Sequence, residues 1–344
     1  MSNNAPIIVC DATLRDGSHA YKHQISLDQA KAYATAADLA GYSYVEVGHG
    51  NGLGASSLQV GESLVPEGEM LRGVRECLKK TKLSVHVIPG CATINKEIVG
   101  AIDAGVDLFR VGCHCTEADI TERHIGYVRD AGREAWGVLM MSHMASAEVL
   151  LGEGRKMKSY GAQGIVLMDS AGRAYPQDVT EKIGLLAASL SMPIGFHAHQ
   201  NLGLGIANSL AALEAGAKIL DGTARGFGAG AGNAPLEMLA AALQLQGYET
   251  TIDLYKSLDA SEVAAELFAG SLPVSNGMTI ISGLSGVFSG FLKPVQRAAV
   301  DLGIDPRDIL LELGRRKVVA GQEDLIFEVA CGIAAGKAQA KPKV

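Results

Sequence analysis

Aromatic side chains are scarce in this 344-residue chain: Phe, Tyr and Trp make up 5 % of it, with one Trp. Positive charge is not in excess, since 30 Lys and Arg face 37 Asp and Glu for a net charge of −7. That balance excludes a nucleic-acid surface. No apolar run reaches the ~18 residues of a membrane span, which excludes a helical anchor. The opening Met1-Ser-Asn-Asn-Ala-Pro6 has neither a basic nor a long apolar region, so export is not expected and a cytoplasmic location is. The six cysteines, at 10, 77, 91, 113, 115 and 331, form no disulfide framework, and reduced thiols are expected. Cys113-His114-Cys115 lacks the paired spacing of a structural zinc site. The basic stretch 337–343 is short and reads as a solvated terminus.

Glycine is abundant, at 42, and hydrophobic residues make up 48 %. Many glycines with small aliphatics suit an α/β protein with tight turns between strands and helices. Strand-like runs fall at 7–11, 44–47, 84–88, 108–111, 135–140, 164–168, 194–199 and 218–223. Helical periodicity fills the gaps at 27–40, 69–80, 94–104, 119–131, 146–160, 176–190, 205–215 and 235–246. Glycines 41, 105, 132, 161 and 216 sit where left-handed helix ends are expected. Eight βα units in about 250 residues predict a closed TM-free α/β fold, the (β/α)8 TIM barrel, over residues 1–250. Residues 251–344 read as an all-helical addition, with helices at 259–268, 286–292, 294–302, 306–313 and 322–335. Such an addition closes the barrel mouth or docks a partner subunit.

The most informative stretch is His197-Ala-His-Gln-Asn201, which ends the apolar run Met192-Pro-Ile-Gly-Phe196. On a strand, residues i and i+2 share one face about 7 Å apart. His197 and His199 can therefore grip one ion. Barrel chemistry sits at the C-terminal ends of strands, and the first strand ends in Asp11-Ala-Thr-Leu-Arg-Asp-Gly-Ser-His19. Arg15, Asp16 and His19 are thus expected on the same rim. Asp16 with two imidazoles makes a three-ligand site with open positions, suited to Mn²⁺, Mg²⁺ or Co²⁺. A 2-keto acid fills two such positions. A His-x-His pair alone is often a satisfied core pair; the acidic loop at the matching barrel end favours the metal. Glu46 and Arg110 interrupt apolar strands and need partners. They form a structural ion pair or orient the metal histidines. Asn233, after the glycine run 226–232, is placed to reach the metal's outer sphere. That run, at a common barrel phosphate position, keeps a phosphorylated or CoA substrate open, whereas Gly203-x-Gly205 is too weak a pattern to do so. His49 and His143 fall on rim loops as gating or hydrogen-bonding candidates.

These motifs resemble the metal-dependent aldolase and acyltransferase superfamily of TIM barrels, which includes isopropylmalate synthases and hydroxymethylglutaryl-CoA lyases. Within it the chain is most similar to the 4-hydroxy-2-oxovalerate aldolases, pyruvate-forming enzymes of aromatic ring degradation. The resemblance is carried by Arg15–His19, Val45–Gly54, His114–Asp119, Leu139–Met144, Gly228–Asn233, Leu313–Lys317 and Gly321–Asp324. It implies Asp16, His197 and His199 as metal ligands, with His197 also against the substrate. It implies Arg15 on the keto oxygen and its enolate, His19 as base for the C4 hydroxyl, and Ser170 on the pyruvyl carboxylate. The implied substrate is 4-hydroxy-2-oxopentanoate or its one-carbon-longer homologue, giving pyruvate and a short aldehyde. The implied partner is an acylating aldehyde dehydrogenase that receives the aldehyde through an internal channel. Two departures stand out. Phe288 replaces a tyrosine that contacts the C4 side of the substrate, and Gln200 stands where histidine is common. The competing reading is an acyl-CoA-dependent condensing synthase or acyl-CoA lyase on the same barrel; the tail resembles the aldolases instead.

Overall fold

The computed structural model describes residues 6–340; residues 1–5 and 341–344, with the last three residues of the basic stretch, lie outside it. Eight strands, β1 Ile8–Leu14, β2 Tyr44–Val47, β3 Lys82–Val87, β4 Leu108–His114, β5 Glu134–Met140, β6 Ile165–Asp169, β7 Ile194–Ala198 and β8 Ile219–Gly222, pair in parallel. They close in sequence order into a barrel, with β8 beside β1. The expected TIM barrel is the observed fold.

Helices α1 Leu27–Ala40, α2 Glu67–Cys77, α3 Val99–Asp103, α4 Glu122–Asp130, α5 Ala147–Ser159, α6 Pro176–Ser189, α7 Gly205–Glu214 and α8 Leu236–Leu245 cover the outside. The expected helix at 94–104 is split, with a π-turn at Ile94–Ile98 leading into α3. All five glycines marked as helix ends adopt positive φ. Gly41 shows why: its φ is 80°, and a Cβ there would lie 2.4 Å from the Thr251 carbonyl oxygen.

Alternation along the strands positions the site. The lower barrel interior is an apolar plug that includes Cys10, Tyr44, Leu108, Trp136, Val166 and Ile219. Two residues further up, on the same inward face, come Glu46, Arg110 and Asp221, each fully buried. His197 occupies the same level on β7. One pleat above the plug the interior changes from apolar to charged.

Beyond the barrel lie α9 Leu254–Leu267, α10 Gly277–Ser285, α11 Leu292–Leu302, α12 Pro306–Arg315 and α13 Asp324–Ala340. Ala260, Ala264 and Phe268 belong to the barrel's apolar layer, and the Tyr42 hydroxyl meets Ser257 at 2.7 Å. A separate apolar core begins at Val287 and includes Phe291, Val295, Ile309, Leu310 and Ile326. By packing, α9, just past the division expected at residue 250, lies against the barrel helices α1 and α8. The helix expected at 286–292 is also corrected: Gly286, at φ 71°, ends α10 there, and only a 3-10 turn, Ser289–Phe291, follows. The Asn276 capping box that starts α10 is the sequence signal for its true position.

Candidate active site

β1 ends in a short turn, Asp16–His19, that carries Asp16 over the barrel axis. There it meets His197 of β7 and His199 just past its end. Asp16 Oδ2 lies 3.5 Å from His197 Nε2 and 3.7 Å from His199 Nε2. One ligand atom from each of the three residues falls within 4.8 Å of the others, and all three residues are buried. The other ring nitrogens are already engaged. Nδ1 of His197 sits 2.8 Å from Asp221 Oδ2, and Nδ1 of His199 lies 3.0 Å from the Asp169 carbonyl oxygen. Both Nε2 atoms therefore face the common point as lone-pair donors.

Three buried polar atoms at this point have no hydrogen-bond partner among the described residues: His197 Nε2, Asn233 Oδ1 and Arg15 Nη2. Leaving buried polar atoms unpaired costs about 1–3 kcal/mol each. A divalent cation fits the two acceptors and the Asp16 carboxylate, and a substrate oxygen fits the arginine. The donor set suits a hard or borderline ion.

Electrostatics agree. Burial is the largest influence on Asp16 and opposes its ionisation, yet Arg15, His197 and His199 together outweigh it and hold the carboxyl well below its ordinary range. Burial pushes His199 down to about 3, which keeps it neutral for ligation. For His197 burial also acts downward, but the neighbouring carboxylates of Asp16 and Asp221 raise it above its ordinary value. A proton competes with the ion at that nitrogen.

Arg15 is fixed on two sides. Its Nη1 donates to Asp16 Oδ2 at 2.7 Å and its Nε to Glu46 Oε2 at 2.7 Å. Glu46 also faces Arg110 Nη1 at 3.3 Å. Of the two expectations for Glu46 and Arg110, the ion pair is the one found. Glu46 does not touch the metal histidines; Asp221 does. That residue went unremarked in the sequence, although a lone charge in the apolar run of β8 is the same signal that marked Glu46 and Arg110.

His19 sits three residues on, partly covered, with its ring 5.0 Å from that of His23 and 6.4 Å from that of His49. Burial lowers its pKa to about 4. The turn at Gly50 makes room for it: a Cβ there would lie 2.4 Å from Nε2 and within 2.6 Å of two other ring atoms. Gly50→Ala must therefore displace the imidazole. The expected result is a loss in kcat similar to that of removing His19, with metal uptake unchanged, read by parallel turnover and metal titrations.

Ser170 is buried, and its hydroxyl accepts the Met141 N–H at 3.0 Å. Its carbonyl takes the N–H of Ser289 from the tail at 3.4 Å. Phe288 therefore stands at the junction of tail and rim, its ring 5.9 Å from that of Phe291. Asn201 ties the same junction: its Nδ2 donates to Ser289 Oγ and to Ala171 O, and its Oδ1 accepts Ala231 N–H. Gln200 caps α7 through the Gly205 N–H. His143 bonds the Gly286 carbonyl, and His49 the Gly61 carbonyl. Burial raises the Cys113 thiol well above its ordinary range and that of Cys115 to about 11.

The glycine run after β8 forms the wall of this centre. Ala229 N–H donates to Asp16 Oδ1 at 3.0 Å. A Cβ at Gly228 would lie 2.4 Å from Asn233 Nδ2 and 3.0 Å from Asp16 Oδ1. The glycines admit close approach to the carboxylate.

Comparison with known proteins gives the same picture. A family model described as HMGL-like matches residues 6–264, and one described as DmpG-like communication domain matches 273–335. A 4-hydroxy-2-oxovalerate aldolase of Pectobacterium atrosepticum is 56 % identical over 328 residues, 95 % of this chain and 96 % of that protein. One from Spirochaeta aurantia is 55 % identical with the same coverage. One from Thermus thermophilus is 47 % identical over 96 % of this chain and 95 % of that protein. Among solved structures, the carboxyl transferase domain of Rhizobium etli pyruvate carboxylase superposes with a TM-score of 0.78. It covers 97 % of this chain and 61 % of that one at 15 % identity, a likeness of fold alone. The chain belongs to the HMGL-like family of barrels and, within it, to the 4-hydroxy-2-oxovalerate aldolases.

Proposed function

We propose that this chain is a divalent-metal-dependent carbon–carbon lyase that cleaves 4-hydroxy-2-oxopentanoate, or 4-hydroxy-2-oxohexanoate, to pyruvate and acetaldehyde or propanal. The observation that carries this reading is the convergence of Asp16, His197 and His199 on one buried point beside an arginine with a free nitrogen. Asp16, His197 and His199 would hold the ion, with Asn233 Oδ1 beside them; Mn²⁺ is the preferred occupant, with Mg²⁺ or Co²⁺ also suited. Such an ion supplies Lewis acidity toward the keto and carboxylate oxygens.

The chain's own groups do the rest. Retro-aldol cleavage breaks C3–C4, and the electron pair moves into an enolate of pyruvate. Arg15, a permanent cation held rigid by Glu46 and Asp16, directs Nη2 at the oxygen where that charge develops. His19, kept neutral by its surroundings, accepts the C4 hydroxyl proton as the C4 carbonyl forms, and the enolate then takes a proton at C3 to give pyruvate. Ser170 keeps its hydroxyl hydrogen free for the pyruvyl carboxylate, since its oxygen already accepts from Met141. No Schiff-base lysine is required.

The test is a coupled assay of pyruvate release with Mn²⁺, run on both C4 enantiomers beside acetyl-CoA consumption with a keto acid. Pyruvate release is expected and CoA consumption is not; the reverse result overturns the reading in favour of a condensing synthase. Phe288 offers no hydroxyl to the C4 side, so the two enantiomers are expected to be cleaved at rates within about tenfold, since one hydrogen bond is worth about 1 kcal/mol.

The tail supports a partner of aldehyde dehydrogenase type, which would take over the aldehyde. Ile280 and Leu284 on α10 and Leu311 on α12 are large apolar residues left 46–57 % exposed, and the two helices pack together. Ile280→Asp with Leu311→Asp is expected to abolish co-elution with an acylating aldehyde dehydrogenase while pyruvate release by the isolated chain persists. Unchanged co-elution would move the docking surface elsewhere.

A further inference from the structure

Asp221 and Arg110 have no part in the chemistry above, yet both are wholly buried inside the barrel. Asp221 Oδ2 is shared by two donors, Nη2 of Arg110 and Nδ1 of His197, the latter at 2.8 Å. The other face of the Arg110 guanidinium turns to Glu46, whose second oxygen grips Arg15. Five side chains thus cross the barrel interior in one line: His197, Asp221, Arg110, Glu46 and Arg15. The first end carries a metal nitrogen and the last carries the free nitrogen aimed at substrate oxygen.

The arrangement has a physical reason beyond stability. A buried ion network costs desolvation, and an apolar replacement is often as stable. A carboxylate on the far nitrogen of an imidazole, however, fixes its tautomer and ring plane and strengthens the near nitrogen as a ligand. Asp221 supplies that carboxylate. Alone, it would be an unpaired buried charge and free to turn; Arg110 pairs it and, with the same planar fork, pairs Glu46. Glu46 in turn fixes the plane of Arg15.

Resting on the metal-aldolase reading, we infer that Asp221 and Arg110 are positioning residues that join metal affinity to keto-acid affinity. Asp221 presents His197 Nε2 to the ion. Arg110 is the shared anchor whose loss loosens both ends of the line.

The experiment is a Mn²⁺ titration followed by electron paramagnetic resonance, paired with the inhibition constant for pyruvate, on folded variants checked by circular dichroism. Asp221→Asn is expected to weaken Mn²⁺ about 10- to 100-fold. Glu46→Gln is expected to leave Mn²⁺ affinity in place and weaken pyruvate. Arg110→Met is expected to weaken both, and Arg110→Lys, which keeps the charge without the fork, to restore neither fully. Asp221→Asn with Mn²⁺ affinity within twofold of the parent overturns the proposal, as does Arg110→Met that alters one affinity only. Should the variants not fold, ¹⁵N spectra of the histidines in the unsubstituted chain decide: His197 protonated at Nδ1 is expected, and protonation at Nε2 in the metal-loaded state overturns it. An unsubstituted chain that takes up no divalent ion fails the metal reading itself. Uptake of one ion per chain with Asp221→Asn unaffected fails the relay alone.

Discussion

His199→Ala is expected to retain no divalent ion and to lose on the order of 10³-fold or more in kcat/KM, because Lewis-acid stabilisation is worth several kcal/mol and each 1.36 kcal/mol is tenfold. The substitution is clean for a structural reason. His199 Nδ1 is tied only to the Asp169 carbonyl, outside the line of buried ions that ends at His197. Deleting it removes one ligand and leaves Arg15, Glu46, Arg110 and Asp221 paired. Treatment of the parent chain with a chelator should give the same loss, reversed by added Mn²⁺. Pyruvate release that survives either treatment would leave the three converging side chains without a catalytic task. The measurements are metal content per chain and initial rates.

His19→Ala is the second large effect, with an expected fall in kcat of about 10²- to 10⁴-fold, the usual contribution of a positioned general base. Metal content should stay at the parent level, which separates this variant from His199→Ala. The pH dependence has a definite sign. Burial is the largest influence on His19 and drives it down to about 4; Asp16 acts upward, while His49, Arg15 and Lys293 act downward. A base works unprotonated, so kcat/KM falls as pH drops through that value, and the acid limb should lie below the ordinary 6.5 of histidine. The same limb should vanish from the residual rate of His19→Ala. A parent limb at or above 6.5 would mean that another group is the base.

Much of this was legible in the sequence because the relevant signals are local. Eight apolar runs with helices between them specify a closed barrel, since strand direction and handedness leave few other arrangements. The spacing of His197 and His199 places both on one face at the C-terminal end of β7, and Asp16 lies just past the end of a strand that must share their rim. Charges at Glu46 and Arg110 within apolar strands point to buried pairing, and the pairing is there. What was not legible depends on contacts between distant segments. Asp221 carries the same mark of a lone charge in an apolar strand, but its pairing with Arg110 and His197, on strands far away in the chain, does not show in the sequence. The fit of His19 against Gly50 is steric and leaves no periodic trace. The bond between Asn201 and Ser289 joins a barrel loop to the tail across 88 residues. The turn around Gly286 carries enough apolar residues to look helical, and its left-handed glycine ended a helix where a new one was expected to start.

The Asn201–Ser289 bond and the Ser289–Ser170 contact give the tail a share of the catalytic chamber's wall. A module proposed to dock a second protein would thus also lend its inner surface to the proposed reaction. Grafting a tail from a relative onto this barrel would transplant part of the substrate pocket along with the binding surface. In such a chimera, the choice of associate and the choice of substrate would be inherited together.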